Sequence, residues 1–135
     1  MSKSKVFTLP VRVYFQDTDA GGVVYHASYV NFMERARTEW LRTHGYSNAG
    51  LMKEFGVVFV VRSLRLDYLK PALLDDLLDV TAQIKGTGRS RLNLLQSVRR
   101  DGEVLTEAEV HLVCVSVESF KPVSVPEVLR KQWKV

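Results

Sequence analysis

Apolar and polar positions follow more than one rhythm along this chain. Over residues 6–15 the period is two: Val11, Val13 and Phe15 stand against Arg12 and Tyr14, and Pro10 near the start of the run marks an edge or entry position in a strand. Residues 16–22, Gln-Asp-Thr-Asp-Ala-Gly-Gly, interrupt the alternation with a dense set of turn formers. The period then lengthens. Tyr29, Phe32, Met33, Ala36, Trp40 and Leu41 recur at helical spacing, and Arg35, Arg37, Thr38, Glu39 and Arg42 fill most of the other side. Gly45 supplies the C-terminal cap of that helix, and a second, short helix is predicted from Ser47 to Phe55, closed by Gly56.

From Val57 the chain reads as strands. Val57 to Tyr68 is rich in branched residues, and its alternation changes phase near Arg62 and Ser63, which predicts a bulge or burial on both sides. Pro71 ends the run. Leu78, Val80, Ala82 and Ile84 alternate with Asp79, Thr81, Gln83 and Lys85, a half-buried strand. Gly86-Thr87-Gly88 is predicted to turn the chain into a strand from Arg89 to Arg100, and Asp101-Gly102 is a two-residue hairpin signal. Glu103 to Val117 follows, apolar on both faces from Val110 and therefore a central strand. Pro122 and Pro126 mark a loop, with a terminal helical turn over 127–133. One strand, a long helix and then strands joined mostly by tight turns is not the alternation of a doubly wound sheet. The order predicts an α+β fold in a single domain over residues 1–135, an antiparallel sheet wrapped around one long central helix.

Composition narrows the class. At 135 residues, 46% hydrophobic and 25% charged, the chain has the content of one ordered domain. Its most apolar stretch, Val57 to Val61, is far shorter than a membrane span, and no apolar signal core follows Met1 to Lys5. The lone Cys114 makes no internal disulfide and no zinc cluster, and cytoplasmic residence is the natural reading. A net charge of +4 suits a ligand carrying phosphates, but no Lys/Arg run marks a nucleic-acid arm.

The candidate chemistry lies in Asp17-Thr18-Asp19-Ala20-Gly21-Gly22-Val23-Val24-Tyr25-His26, where two carboxylates and a histidine precede a helix. A helix N-terminus offers unpaired N–H groups and a positive dipole end, which can hold a developing oxyanion, and a nearby carboxylate can act as nucleophile or general base. By composition alone an Asx turn is the commoner role for Asp17 or Asp19. His26 either orients a reacting group or packs at the helix start. His44 and His111 read as structural, and three scattered histidines make no metal-ligand pattern. Glu34 reads as a surface or interface partner of Arg35 and Arg37, with a catalytic role the lesser alternative. Arg89, Ser90 and Arg91, together with Lys85, are candidates for phosphate binding, against the commoner role of a solvated strand end. There is no Gly-x-Ser-x-Gly elbow, P-loop or dinucleotide fingerprint.

The segment from Tyr14 to Tyr29, followed by Glu34-Arg35-Ala36-Arg37, resembles the signature of hotdog-fold acyl-CoA thioesterases. The likeness is greatest to the Tol–Pal-associated YbgC branch of the 4-hydroxybenzoyl-CoA thioesterase group, and Phe59-Val60-Val61-Arg62, Glu107-Ala108-Glu109-Val110 and Val113-Cys114-Val115 extend it over almost the whole chain. The resemblance implies a five-stranded antiparallel sheet around a long helix and a metal-free, cofactor-free hydrolase of acyl-CoA. It implies Asp19 as the catalytic carboxylate, attacking the thioester or activating water. Asp17 would shape the loop, the backbone N–H of His26, with that of Tyr25, would polarise the thioester oxygen, and the His26 imidazole would help position the water or the carboxylate. It further implies a homo-oligomer, a dimer of dimers with sites shared between subunits, in which residues 57–62, Val60 and Val61 among them, line the pantetheine channel and Arg89, Ser90 and Arg91 lie near the nucleotide end of CoA. Acyl carrier protein or phospholipid-synthesis enzymes are the further partners it suggests. Some relatives carry a tyrosine where this chain has Phe15, which has no hydroxyl, and strand alternation turns the adjacent Tyr14 to the opposite face. Two other readings follow from the same residues: an acyl-chain or acyl-carrier binding scaffold with little turnover, and a dehydratase of the same fold.

Overall fold

The computed structural model describes residues 5–133. Five strands, β1 (Phe7–Arg12), β2 (Val57–Tyr68), β3 (Leu77–Thr87), β4 (Arg91–Arg100) and β5 (Glu103–Ser116), form one antiparallel sheet in the order β1-β3-β4-β5-β2. Three helices accompany it: α1 (Ser28–Arg42), α2 (Asn48–Phe55) and α3 (Glu127–Gln132). None of the helices among the described residues is long and apolar enough to cross a membrane.

The apolar stripe of α1 explains its place. Tyr29, Phe32, Met33 and Ala36 are buried against Val80 of β3, Val98 of β4 and Leu105 of β5, and Trp40 and Leu41 continue into a second cluster with Ile84, Leu92 and Cys114. The helix therefore runs along the sheet and packs on β1, β3 and β4, while β2 is met by α2 instead. At the far end α3 folds back, and Trp133 stacks on Trp40 with ring centroids 5.4 Å apart. A space is left between the C-terminal half of α1 and the inner side of β2, a cavity of about 430 Å³.

Local signals decide the joints. Ser47 caps α2 by accepting the Gly50 N–H at 3.0 Å, and Gly56 closes it at φ 65°, a backbone region that disfavours a Cβ. Asp101 and Gly102 both have positive φ, as a tight hairpin between twisted strands requires. The phase change in β2 is a register shift between Val61 and Ser63, so Arg62 is the extra residue. Pro10 lies in β1, an edge strand, and β5 is interior, although β4 holds the middle position.

Two expectations need correction. β1 stops at Arg12, and Phe15–Asp17 form a single 3-10 turn instead of prolonging the strand. The cause is Asp17, whose carboxylate accepts the Tyr14 N–H at 2.8 Å and whose own N–H donates to Tyr14 O. Tyr14 and Phe15 are consequently both exposed, at 60% and 81%, and no strand alternation separates them. Second, β3 continues through Gly86 and Thr87 by way of a register shift after Ile84, so the turn sits at Gly88–Ser90 and β4 begins at Arg91. The short helices expected over 47–55 and 127–133 are present as α2 and α3 beside the longer α1.

Candidate functional site

The loop between the 3-10 turn and α1 is tied at several points. Asp17 is buried, its carbonyl accepting the Tyr25 N–H at 2.8 Å and the Ser28 hydroxyl at 3.2 Å. Thr18 and Val24 form a bridge, Asp19 N–H donates to Val23 O, and Val24 N–H donates to Ala72 O. These bonds pinch residues 19–23 into an exposed tip that turns through Gly22 at φ 82°. Asp17 thus takes the shaping role expected of it: its side chain holds the strand exit and its carbonyl holds the helix entrance.

Asp19 lies on that tip. Its Oδ1 accepts the Gly21 N–H at 2.8 Å, the Asx turn that composition favours, while Oδ2 has no hydrogen-bond partner among the described residues. The turn fixes the carboxylate without spending it. A Cβ on Gly21 would lie 3.2 Å from Oδ1, so a larger residue there would press on the carboxylate.

His26 lies two residues before α1, exposed, with its ring 4.4 Å from that of Tyr25. Its carbonyl accepts the Tyr68 hydroxyl at 2.7 Å, which ties the helix entrance to the end of β2. Tyr68 is a residue that sequence reasoning missed, and the 42 positions between the two partners leave no local trace. The residue preceding α1, Ala27, provides no side-chain cap, and the His26 N–H donates to nothing among the described residues. The Tyr25 N–H is already committed to Asp17 O, so of the two expected oxyanion donors only that of His26 is open.

The remaining candidates divide. Val60 and Val61 line the α1–β2 cavity together with Phe59. Arg89, Ser90 and Arg91 stand at the β3–β4 turn, at the C-terminal end of α1, whereas Asp19 and His26 stand at its N-terminal end, a helix of 15 residues or about 22 Å away. One subunit does not bring the two groups together. The Ser90 carbonyl accepts the Cys114 N–H and the Arg89 carbonyl accepts the Val125 N–H, which braces that turn. Lys85 is spent on Glu109 at 2.8 Å and does not join the arginines. His44 contacts Trp40 O at 3.0 Å through Nδ1, and His111 meets Glu109 at 2.8 Å, both structural positions. Glu34 is exposed on the cavity rim, and Cys114 is fully buried in the core.

Residues 13–133 match the Thioesterase-like superfamily. The chain is 48% identical over 130 residues to a protein of Escherichia coli named acyl-CoA thioester hydrolase YbgC, covering 96% of both chains. It is 45% identical over 121 residues to the acyl-CoA thioesterase YbgC of Haemophilus influenzae, covering 90% of this chain and 89% of the other. Among solved structures it is similar to a probable thioesterase from Bartonella henselae, with 34% identity and a TM-score of 0.87 over 90% of this chain and 100% of that one.

Proposed function

The chain belongs to the thioesterase-like superfamily, and we propose that it hydrolyses acyl-CoA to the free acid and CoA with Asp19 as the reacting carboxylate and the His26 N–H as the oxyanion donor. The observation that carries this reading is that one loop leading into α1 holds both a carboxylate with an oxygen that accepts no hydrogen bond and a backbone N–H that donates none, among the described residues. Thioester cleavage needs a nucleophile, polarisation of the carbonyl and departure of a thiolate. The thiolate is a good leaving group, so a strong general acid is less necessary than for an amide.

Asp19 Oδ2 supports either of two routes. It accepts a proton from water as the water oxygen bonds to the thioester carbon, or it attacks that carbon itself and the mixed anhydride is then hydrolysed. In both, charge developing on the carbonyl oxygen meets the His26 N–H and the positive end of α1. The C–S bond breaks as the oxyanion collapses, and CoA leaves as the thiolate. Tyr68 acts through position, holding the His26 carbonyl, which lies in the peptide unit that follows the one carrying the His26 N–H.

The twelve-residue β2 forms one edge of the sheet, and that supports pairing of two copies edge to edge. Antiparallel pairing of two β2 strands sets the Tyr68 end of one subunit beside the Val57 end of the other. That brings Val60, Val61 and the Arg89–Arg91 turn of one chain toward the Asp19 loop of its partner, which one subunit alone does not achieve. The reading extends to a dimer of dimers in the cytoplasm. The resemblance read from the sequence adds a Tol–Pal association to this proposal, with acyl carrier protein or phospholipid-synthesis enzymes as partners.

The test is release of free CoA from acyl-CoAs of graded chain length, by wild type and Asp19→Asn. Turnover should fall at least about 100-fold in the variant, the scale of a positioned carboxylate, with acyl-CoA binding retained. Absence of turnover in the wild type on every chain length, with acyl-CoA or acyl carrier protein still bound, would replace hydrolysis by the scaffold reading.

A further inference from the structure

The α1–β2 cavity has an apolar floor and a cation, Arg37, that makes no ion pair among the described residues. Phe59, Leu92, Leu94 and Leu112 face the space, and Arg37 enters it from α1. Arg37 is half-buried, and burial pulls its guanidinium below the ordinary arginine value, with the charge of Glu34 on the rim acting in the opposite sense. No carboxylate lies within ion-pair distance of it among the described residues. Its hydrogen bond is to a neutral group, Nη1 donating to Gln96 Oε1 at 3.0 Å.

Gln96 is fixed in that sense. Its amide nitrogen donates to the carbonyls of Met33 and Thr81, both at 3.1 Å, which only the NH2 end can satisfy, so the oxygen is presented to Arg37. A guanidinium carries five donors in a planar fork, and the structure uses one of them. A partly desolvated cation left without an anion is costly, and a carboxylate offers it two parallel charge-assisted bonds. Trp133 on the same cavity also keeps a buried indole N–H that has no partner among the described residues.

We propose that this cavity binds an aliphatic carboxylate, with the carboxylate on Arg37 and the chain laid over Phe59, Leu92, Leu94 and Leu112. The volume of about 430 Å³ lies in the range of small-molecule sites. The proposal rests on the thioester-hydrolase reading for the origin of the ligand. That carboxylate is either the free acid released by hydrolysis or the distal carboxylate of a dicarboxylic acyl group.

Calorimetric titration with sodium decanoate probes the first source, using wild type, Arg37→Met and Arg37→Lys, with decanol as the uncharged control. The expected result is decanoate affinity at least tenfold lower in Arg37→Met and less reduced in Arg37→Lys, while decanol binds all three alike and each variant keeps a cooperative thermal transition. Hydrolysis of suberoyl-CoA against octanoyl-CoA probes the second source, with the kcat/KM ratio falling at least tenfold in Arg37→Met. Either result supports the site, and their pattern names the source. Equal decanoate binding and equal ratios in wild type and Arg37→Met would overturn it. So would a shift of Arg37→Met to a smaller species in sedimentation, which would make a carboxylate of a second copy the partner of Arg37. Should wild type hydrolyse neither thioester, the decanoate titration still decides the pocket on its own.

Discussion

Asp17 and Asp19, two residues apart, divide the work of the loop by burial. The buried Asp17 holds backbone on both sides of it, so Asp17→Ala strands the Tyr14 N–H and is expected to cost about 1–3 kcal/mol of stability, seen as a lower midpoint in urea. Asp19→Asn keeps the turn to Gly21 and should leave the urea midpoint in place while removing turnover. Tyr68→Phe loses one hydrogen bond to the His26 carbonyl, about 0.5–1.5 kcal/mol, and should lower kcat more than it raises KM, because the proposed oxyanion donor belongs to the same residue. Cys114 is a separate case: burial pushes its thiol up from 9.0 to about 11. The unfolded thiol ionises first, so its contribution to stability is present below about pH 9 and falls as pH rises toward about 11. At neutral pH the folded protein should react with a thiol dye only slowly and the denatured protein at once, which a stopped-flow comparison checks.

Among the elements, what could be read from the chain was what short-range chemistry controls. Ser47, Gly56 and Asp101-Gly102 each dictate a cap or a turn through their own backbone, and the structure has them where the sequence puts them. Ser47→Ala and Gly56→Ala should each cost about 1 kcal/mol, and nearly twice that together in a thermal melt, since they act at opposite ends of α2. The exit of β1 was misread for a physical reason. The alternation of Val11, Val13 and Phe15 continues past Arg12, but the Asp17 carboxylate outcompetes the sheet for the Tyr14 N–H. The extension of β3 through Gly86 was likewise hidden, because a register shift lets a glycine stay in a strand. Of the proposed site, Asp19 and His26 could be picked out from the chain because they share one loop. Tyr68, and the Gln96 that orients Arg37, could not, since their partners lie 42 and 59 positions away.

At the scale of the molecule, a subunit separates groups that the proposed function uses together. The Asp19 loop is at one end of α1 and the Arg89–Arg91 turn at the other, and β2 between them ends the sheet. Activity should therefore depend on association: specific activity is expected to fall on dilution in step with the sedimenting mass, and to recover on concentration. An exposed strand edge is usually guarded against other chains, and here Arg62 at the bulge and Arg65 beyond it set charge along the edge, which selects for a matched partner over indiscriminate pairing. The edge also has a genetic meaning. If each site draws Asp19 from one chain and the Arg89–Arg91 turn from another, two inactive alleles damaged at different ends would restore one intact site when co-expressed, so loss of function in one copy would be masked by a differently broken second copy.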